Sequence, residues 1–214
     1  MDIKEFYKSP HLLEENKYNE IKLEKLRRFF PKNQKVLDYG CGDGTVTEIL
    51  SKENTAIGVD ISKMAIEICR KKGLDCRQID VGKKLDFAGN YFDRIFCLET
   101  IEHVFDTEAL LKEFRRLLKK NGTLIVTTPN VAQISNRIRF LFDKKMHYVE
   151  TKIEAGHMRF FTKSSLEKLL KENGFEVKKT VANYVYFPLI GPVSFLGDIF
   201  PGIGTELIVS AEKK

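Results

Sequence analysis

Two carboxylates and an imidazole lie within five residues of each other in the segment Glu99-Thr-Ile-Glu102-His103. On one turn of helix, Glu99 would neighbour both Glu102 and His103, because residues three and four apart share a helix face. Such a group can remove a proton from a substrate as a general base. Its oxygen and nitrogen atoms could instead hold a divalent cation, with Mg²⁺ or Mn²⁺ favoured by oxygen ligands.

A second chemical feature is the run "VLDYGCGDG", residues 36–44, in which an apolar strand is followed by alternating glycines. Glycine-rich turns of this kind lie where open α/β sheets bind ligands. The dinucleotide fingerprint G-x-G-x-x-G is absent, since Thr45 and Thr47 occupy the positions of its third glycine. Asp38 and Asp43 would repel a pyrophosphate but suit a cation. The loop favours a ligand with an ammonium and a sulfonium, whose carboxylate meets backbone N–H groups at the next helix.

The elements that must position these residues are short apolar strands alternating with amphipathic helices from Lys35 onward, the pattern of an α/β fold. Strands are predicted over 35–39, 55–60, 74–79, 92–98, 123–128, 175–186 and 205–213. Helices are predicted over 45–52, from a Ser62 cap to Gly73, and from Asp106 to Asn121-Gly122. A further helix is predicted to open at Thr162 to Ser164, where Ser164 and Glu167 have capping-box spacing, and to end at Asn173-Gly174. An amphipathic helix is expected within 10–30, and 187–204 is predicted to be a packed loop.

Composition limits the class of protein. The chain has 214 residues, enough for one domain, and a formal charge of +6 spread along helices, so nucleic acid is not expected as a partner. Cys41, Cys69, Cys76 and Cys97 show no C-x-x-C pairing and are interpreted as reduced thiols that serve as small hydrophobes. The charged N-terminal segment lacks the apolar core of a signal peptide, so a cytoplasmic location is expected.

Taken in order, Asp38-x-Gly40-x-Gly42-x-Gly44, Asp60, "QIDVG" and "FDRIFCLETIEHV" resemble the motifs of class I S-adenosylmethionine-dependent methyltransferases. The resemblance covers about residues 35–129 and continues more loosely to the C-terminus. It implies an α/β, Rossmann-like class I methyltransferase fold: a seven-stranded, mostly parallel sheet with helices on both faces and an antiparallel strand near one edge.

The same resemblance implies that the chain binds S-adenosyl-L-methionine and releases S-adenosyl-L-homocysteine. Asp38 would hold the ammonium and Asp60 the ribose hydroxyls, while Asp80 and Val81 would bracket the adenine. The full set of expected cofactor-binding residues is Asp38, Tyr39, Gly40, Cys41, Gly42, Gly44, Asp60, Ile61, Asp80, Val81, Leu98 and Glu99.

One methyltransferase domain, 1–214, is expected, with four parts. These are a helical lid (1–34), a cofactor-binding core (35–129), an acceptor-side insertion (130–160), and a C-terminal helix and strands (161–214) with the apolar loop 187–204. The insertion alternates basic and aromatic residues, among them Arg137, Arg139, Phe140 and Phe142, which suggests an acceptor with an anionic group and an apolar body.

The segment after the fourth strand bears on the acceptor. It contains neither the Asn/Asp-Pro-Pro-Tyr motif associated with methylation of adenine or glutamine nitrogen nor the Pro-Cys of cytosine carbon methylation. Its ExxEH pattern resembles ubiquinone-pathway O-methyltransferases and small-RNA 3′-terminal ribose 2′-O-methyltransferases. In the RNA family a later histidine completes a metal site, for which His157 is the candidate here. We take His103, Glu102 and His157 as catalytic candidates.

The favoured interpretation is an enzyme that methylates a small molecule, at oxygen rather than nitrogen or carbon. No metal is assigned to this enzyme, because an "EH" pair after the fourth strand is widespread in relatives that use no metal. The alternative is a divalent cation bound by Glu99, Glu102, His103 and His157. An RNA ribose 2′-O-methyltransferase and a non-catalytic S-adenosylmethionine-binding protein also stay open. Peripheral membrane contact through 187–204 and a monomeric or homodimeric state complete the expectations.

Overall fold

A computed structural model of the chain describes residues 17–80, 83–142, 156–187 and 190–214, with side chains from residue 20 onward. Its strands are β1 (Lys35–Tyr39), β2 (Thr55–Asp60), β3 (Cys76–Gln78), β4 (Phe92–Leu98), β5 (Leu118–Pro129), β6 (Phe175–Ala182), β7 (Val185–Phe187), β8 (Gly191–Val193) and β9 (Glu206–Lys213). Its α-helices are α1 (Lys17–Arg27), α2 (Thr45–Ser51), α3 (Lys63–Lys71), α4 (Thr107–Leu117), α5 (Ile134–Leu141), α6 (Lys163–Glu172) and α7 (Ser194–Ile199). Short 3₁₀ helices cover Ile101–His103 and Pro201–Ile203.

The main sheet has seven strands in the order β3-β2-β1-β4-β5-β9-β6. The first five strands pair in parallel, and β9 runs antiparallel to both of its neighbours, β5 and β6. The predicted seven-stranded α/β sheet with one antiparallel strand near an edge is therefore confirmed. β7 and β8 form a separate two-stranded sheet.

The apolar strand residues pack on both faces of the sheet. In β1, Leu37 belongs to a core that includes Phe114 of α4, whereas Val36 belongs to a second core that includes Leu26 of α1. Successive side chains of a strand point to opposite faces, so a continuous apolar run indicates a strand covered on both sides. The chemistry-bearing residues at the carboxyl ends of these strands thereby rest on a rigid support.

The boundaries of several elements differ from the predictions. Helix α4 begins after its Asp106 cap as expected but ends at Leu117, because the chain turns directly into a long β5. The strand predicted over 175–186 is interrupted after Ala182, where Asn183 leaves β6 to bond the Glu206 carbonyl. The predicted strand over 74–79 is shortened to Cys76–Gln78.

Two further local predictions are wrong. The capping box of α6 consists of Thr162 and Ser165, not Ser164 and Glu167, because Glu167 instead accepts a hydrogen bond from Thr180 of the adjacent strand. The segment 187–204 is not a plain loop, since it includes β8, α7 and a 3₁₀ turn. The Ser62 cap and the Gly73 end of α3 are confirmed, with Gly73 at φ +77°.

Candidate active site

The glycine loop after β1 contacts the segment that follows β4. Gly40, Gly42 and Gly44 have φ values of +77°, +53° and +82°, a region that favours glycine. A Cβ on Gly40 would lie 2.2 Å from Oγ1 of Thr100. The glycine loop and the Glu99–His103 segment therefore line one cleft, at the carboxyl ends of the neighbouring strands β1 and β4.

Asp38, near the end of β1, is a buried carboxylate of this cleft. Its Oδ2 accepts a hydrogen bond of 2.7 Å from Oγ1 of Thr47, the third residue of α2. Burial raises the pKa of Asp38 to about 6, and the nearby charge of Asp60 adds to the rise. A cationic ligand beside Asp38 would restore its ionised form, which is the chemistry expected of an ammonium-binding residue.

Asp60 bridges the glycine loop and the start of α3. Its two carboxylate oxygens accept from the N–H of Gly42, at 2.9 Å, and from the N–H of Ser62, at 2.8 Å. These bonds orient the carboxylate at the end of β2, and each oxygen keeps a lone pair for a further donor. Asp60 therefore lies where the sequence predicts a ribose-binding residue.

The other expected cofactor residues line the same strand ends. The ring of Tyr39, which is partly buried, packs edge-on against Phe114 with centroids 5.0 Å apart, and the Cys41 side chain is buried. Ile61 and Leu98 are partly buried at the ends of β2 and β4. Asp80 is half-exposed and accepts from Lys83, whereas Val81 lies outside the described residues.

The prediction that Glu99 shares a helical turn with Glu102 and His103 is wrong. Glu99 precedes the 3₁₀ helix with φ +48°. Its backbone N–H donates to Thr127, and its Oε1 accepts from Oγ1 of Thr127 at 2.6 Å. The Glu99 carboxylate is thereby drawn toward β5, away from the group formed by Glu102 and His103.

Glu102, His103 and His157 do come together. Each offers a ligand atom within 4.8 Å of the others, and the two imidazole rings are 4.9 Å apart. Oε2 of Glu102 accepts from Thr128 at 3.1 Å, while its buried Oε1 has no hydrogen-bond partner among the residues that the structure describes. An unpaired buried carboxylate oxygen is costly, so this atom is suited to a substrate hydroxyl or a cation.

Backbone hydrogen bonds position His157 beside this turn. The carbonyl of Glu102 accepts from the N–H groups of Met158, at 2.9 Å, and Arg159, at 3.0 Å. Nδ1 of His103 lies 3.1 Å from the carbonyl oxygen of Gly156, which orients the imidazole ring. These bonds fix the segment 156–159 to the 3₁₀ helix Ile101–His103.

Burial also sets the protonation of the cluster. It raises the pKa of Glu102 to about 7, and the hydrogen bonds that Glu102 accepts oppose this rise. A carboxyl with this pKa can exchange a proton at neutral pH, which is the property required of a general base. One carboxylate and two imidazoles also match the donor set of a divalent cation. The residues present therefore fit both proton transfer and metal binding.

A buried ion group, missed in the sequence, joins α1 to the cleft. Lys22 contacts Glu206 at the start of β9 and lies 3.4 Å from Oε1 of Glu99. Burial and the nearby carboxylate of Glu99 raise the pKa of Glu206 to about 8, and the Lys22 ammonium opposes this rise. A charged residue opening the otherwise apolar strand "ELIVSA" is the signal that could have indicated Glu206. Thr47 and Thr128, also missed, carry no such signal.

Comparison with known proteins gives a consistent result. A family model described as a methyltransferase domain matches residues 13–180. The human protein named ubiquinone biosynthesis O-methyltransferase, mitochondrial, is 30% identical over 167 residues, which are 73% of this chain and 45% of that one. The Pseudomonas aeruginosa ubiquinone biosynthesis O-methyltransferase is 28% identical over 177 residues, covering 78% of this chain and 74% of that protein. The chain thus spans about half the length of the mammalian relatives it matches.

Solved structures share the fold. A SAM-dependent methyltransferase of Thermotoga maritima, described as a possible histamine N-methyltransferase, superimposes with a TM-score of 0.71 at 25% identity. The match covers 92% of this chain and 89% of that structure.

Among the described residues, none of the helices has the length and apolar content needed to cross a membrane.

Proposed function

Because the chain belongs to the class I S-adenosylmethionine-dependent methyltransferases, we propose that it transfers the methyl group of that cofactor to an oxygen of a small-molecule acceptor. The observation that carries this proposal is the cluster of Glu102, His103 and His157 beside the glycine loop. The relatives named ubiquinone biosynthesis O-methyltransferase support oxygen as the methylated atom.

The proposed reaction is an in-line displacement. The acceptor oxygen attacks the sulfonium methyl carbon, the carbon–sulfur bond breaks, and its electron pair remains on sulfur in S-adenosylhomocysteine. The acceptor hydroxyl gives its proton to the His103–Glu102 pair. Because the sulfonium methyl is already reactive, the protein contributes mainly alignment and removal of this proton.

Individual residues divide this work. Asp38 would hold the cofactor ammonium and Asp60 its ribose, so that the methyl donor would lie in the cleft that the Glu99–His103 segment shares. His157 closes the other side of the acceptor position. A divalent cation held by Glu102, His103 and His157 would lower the pKa of a coordinated hydroxyl. Glu99 would not join that donor set, because its carboxylate is engaged by Thr127.

We expect His103→Gln and Glu102→Gln to lower kcat by about 10²-fold or more, because each removes a proton acceptor while keeping a polar side chain of similar size. Methyl transfer to a panel of catechols and hydroxybenzoates would be measured with S-adenosylmethionine. Affinity for S-adenosylhomocysteine, measured by calorimetry, should change little in both variants.

Glu167→Gln, on the outer helix α6, is the control and should keep full activity. Turnover unchanged in both cleft variants would contradict the proposal. Tight cofactor binding with no transfer to any acceptor would favour the non-catalytic alternative. Activity on RNA ends alone, with affinity falling steeply as salt rises, would favour the ribose methyltransferase. Assays with EDTA and with added Mg²⁺ test the metal.

A further inference from the structure

Three cysteines from three different elements converge beneath the glycine loop. Cys41 belongs to the loop itself, Cys69 to α3, and Cys76 to the start of β3. Their sulfur atoms all lie within 4.8 Å of one another, and all three side chains are buried. The spacing in the sequence shows no metal-binding motif, so only the fold reveals the cluster.

The space occupied by the sulfurs exists because residue 58 is a glycine. A Cβ on Gly58 would lie 2.7 Å from Sγ of Cys76 and 2.9 Å from Sγ of Cys41. Gly58 does not have a positive φ, so the backbone of β2 does not itself require glycine. The glycine instead makes room for the converging thiols.

The carbonyl of Gly42 completes this group as a fourth donor. Its oxygen lies 3.3 Å from Sγ of Cys69 and 3.8 Å from Sγ of Cys41. Zinc bonds of about 2.3 Å to sulfur and about 2.0 Å to oxygen place tetrahedral donors roughly 3.5–4 Å apart. The sulfurs lie within 4.8 Å of one another and the oxygen lies 3.3 and 3.8 Å from two of them, so movements of about 1 Å or less would close these donors around one ion.

We propose that Cys41, Cys69 and Cys76, with the Gly42 carbonyl, bind one thiophilic divalent cation of the zinc type. Binding releases three thiol protons to solvent and leaves a complex of net charge −1. Soft thiolate ligands select such ions over Mg²⁺, so this site is chemically distinct from the Glu102–His103–His157 cluster.

The backbone of Gly42 contacts both this site and the cofactor cleft. Its carbonyl faces the thiols, while its N–H donates to Oδ2 of Asp60 at 2.9 Å. A cation bound to the carbonyl therefore changes the position of the glycine loop to which Asp60 is hydrogen-bonded. If the cation changes the affinity for the cofactor by some factor, the cofactor must change the affinity for the cation by the same factor, by thermodynamic linkage.

The first test is a titration of the whole protein with Cd²⁺, in which the ultraviolet charge-transfer absorption of cadmium thiolates reports binding. We expect saturation at one equivalent, and at least a tenfold loss of affinity in Cys69→Ser and Cys76→Ser. The serine hydroxyl at 69 can still donate to the Gly42 carbonyl, so this variant should fold. Cys97→Ser, a buried cysteine of β4 outside the cluster, is the matched control and should bind Cd²⁺ normally.

The second test needs no variant. X-ray absorption at the zinc edge counts sulfur neighbours in the unsubstituted protein loaded with one equivalent of Zn²⁺. Three sulfurs per zinc support the proposal, whereas a shell of nitrogen and oxygen alone overturns it. Unchanged Cd²⁺ binding in Cys69→Ser also overturns it. Neither measurement depends on methyl transfer, so the proposed function can fail without affecting this result.

Discussion

The two buried carboxylates of the cleft, Asp38 and Glu102, differ in how fully they are hydrogen-bonded. Asp38 accepts from the Thr47 hydroxyl, whereas Glu102 keeps one oxygen without a partner in the described part of the chain. Both carry a pKa raised by burial. Asp38 is therefore prepared for a cationic ligand, and Glu102 for a proton or a metal ion.

Cofactor binding should depend on pH through Asp38. Its raised pKa, about 6, means that the carboxylate is ionised above pH 6 and neutral below it. An ammonium binds the ionised form, so we expect affinity for S-adenosylhomocysteine to fall about tenfold from pH 7 to pH 5. Calorimetry over this range would measure it. Asp38→Asn should bind weakly with a flat pH profile; an equally steep profile in that variant would assign the effect to another group.

The Gly40→Ala substitution separates a steric effect from backbone strain. A Cβ on Gly40 collides with Thr100, whereas a Cβ on Gly73 meets nothing within 4 Å, although both glycines have φ +77°. An alanine at such φ costs about 1–2 kcal/mol. Urea unfolding should show this cost in Gly73→Ala and a larger one in Gly40→Ala. Only Gly40→Ala should also weaken cofactor binding; equal effects of the two would argue against the contact with Thr100.

Among the secondary-structure elements, α1 is fixed to the rest of the fold by a buried lysine. The ammonium of Lys25 donates to the carbonyls of Ala182 and Ser194, each at 2.7 Å, and to Asp198 at 3.0 Å. These bonds connect α1 with β6 and α7. The described part of the predicted N-terminal lid is thus held at its base by specific hydrogen bonds.

Removing that ammonium should loosen α1. Lys25→Met leaves two carbonyls and a carboxylate without their donor, which we expect to cost about 1–3 kcal/mol in the free energy of unfolding. The exposed Lys32→Met, which breaks a surface pair with Glu53, is the control and should leave the free energy of unfolding nearly unchanged. Chemical denaturation measures both variants. Equal losses would mean that the buried bonds of Lys25 add nothing.

Elements supported by an apolar period were predicted well, and those decided by tertiary contacts were not. β1, β2 and β4 have the predicted bounds, because each is a short apolar run between turn residues. The predicted cap of α6 is wrong, because the side chain of Glu167 accepts a hydrogen bond from Thr180 of β6 and not from the start of its own helix. The position of Glu99 was also missed, because Thr127 lies 28 residues away in sequence and its hydroxyl cannot be foreseen there.

On the scale of the whole molecule, large apolar side chains are exposed on two segments that Arg137 connects. Ile190, Phe195 and Ile199 are 77%, 63% and 60% exposed, and Phe140 and Leu141 at the end of α5 are 72% and 79% exposed. Arg137 donates to the Gly202 carbonyl and thereby links these two regions. Such exposed patches are typical of interaction sites. With the chain's charge of +6, we propose contact with an anionic membrane surface.

This proposal predicts that the protein sediments with vesicles containing anionic phosphatidylglycerol and less with purely zwitterionic ones. The double variant Phe195→Ser, Ile199→Ser should lose most of this binding, because its apolar contact area is reduced. Met64→Ser, which removes an exposed apolar side chain from α3 instead, should bind like the unsubstituted protein. If the double variant sediments as well as the unsubstituted protein, the segment 190–200 does not contact the vesicles.

The antiparallel strand β9 has a consequence for how the protein is made. It follows β6 in the chain but lies between β5 and β6, pairing Thr127 with Ile208 and Val181 with the same residue. During synthesis, β5 and β6 therefore emerge with open hydrogen-bonding edges that only residues 206–213 can fill. Unpaired strand edges with apolar side chains aggregate, and such distant pairings form slowly. A nascent chain stalled before residue 206 should depend on chaperones for its solubility.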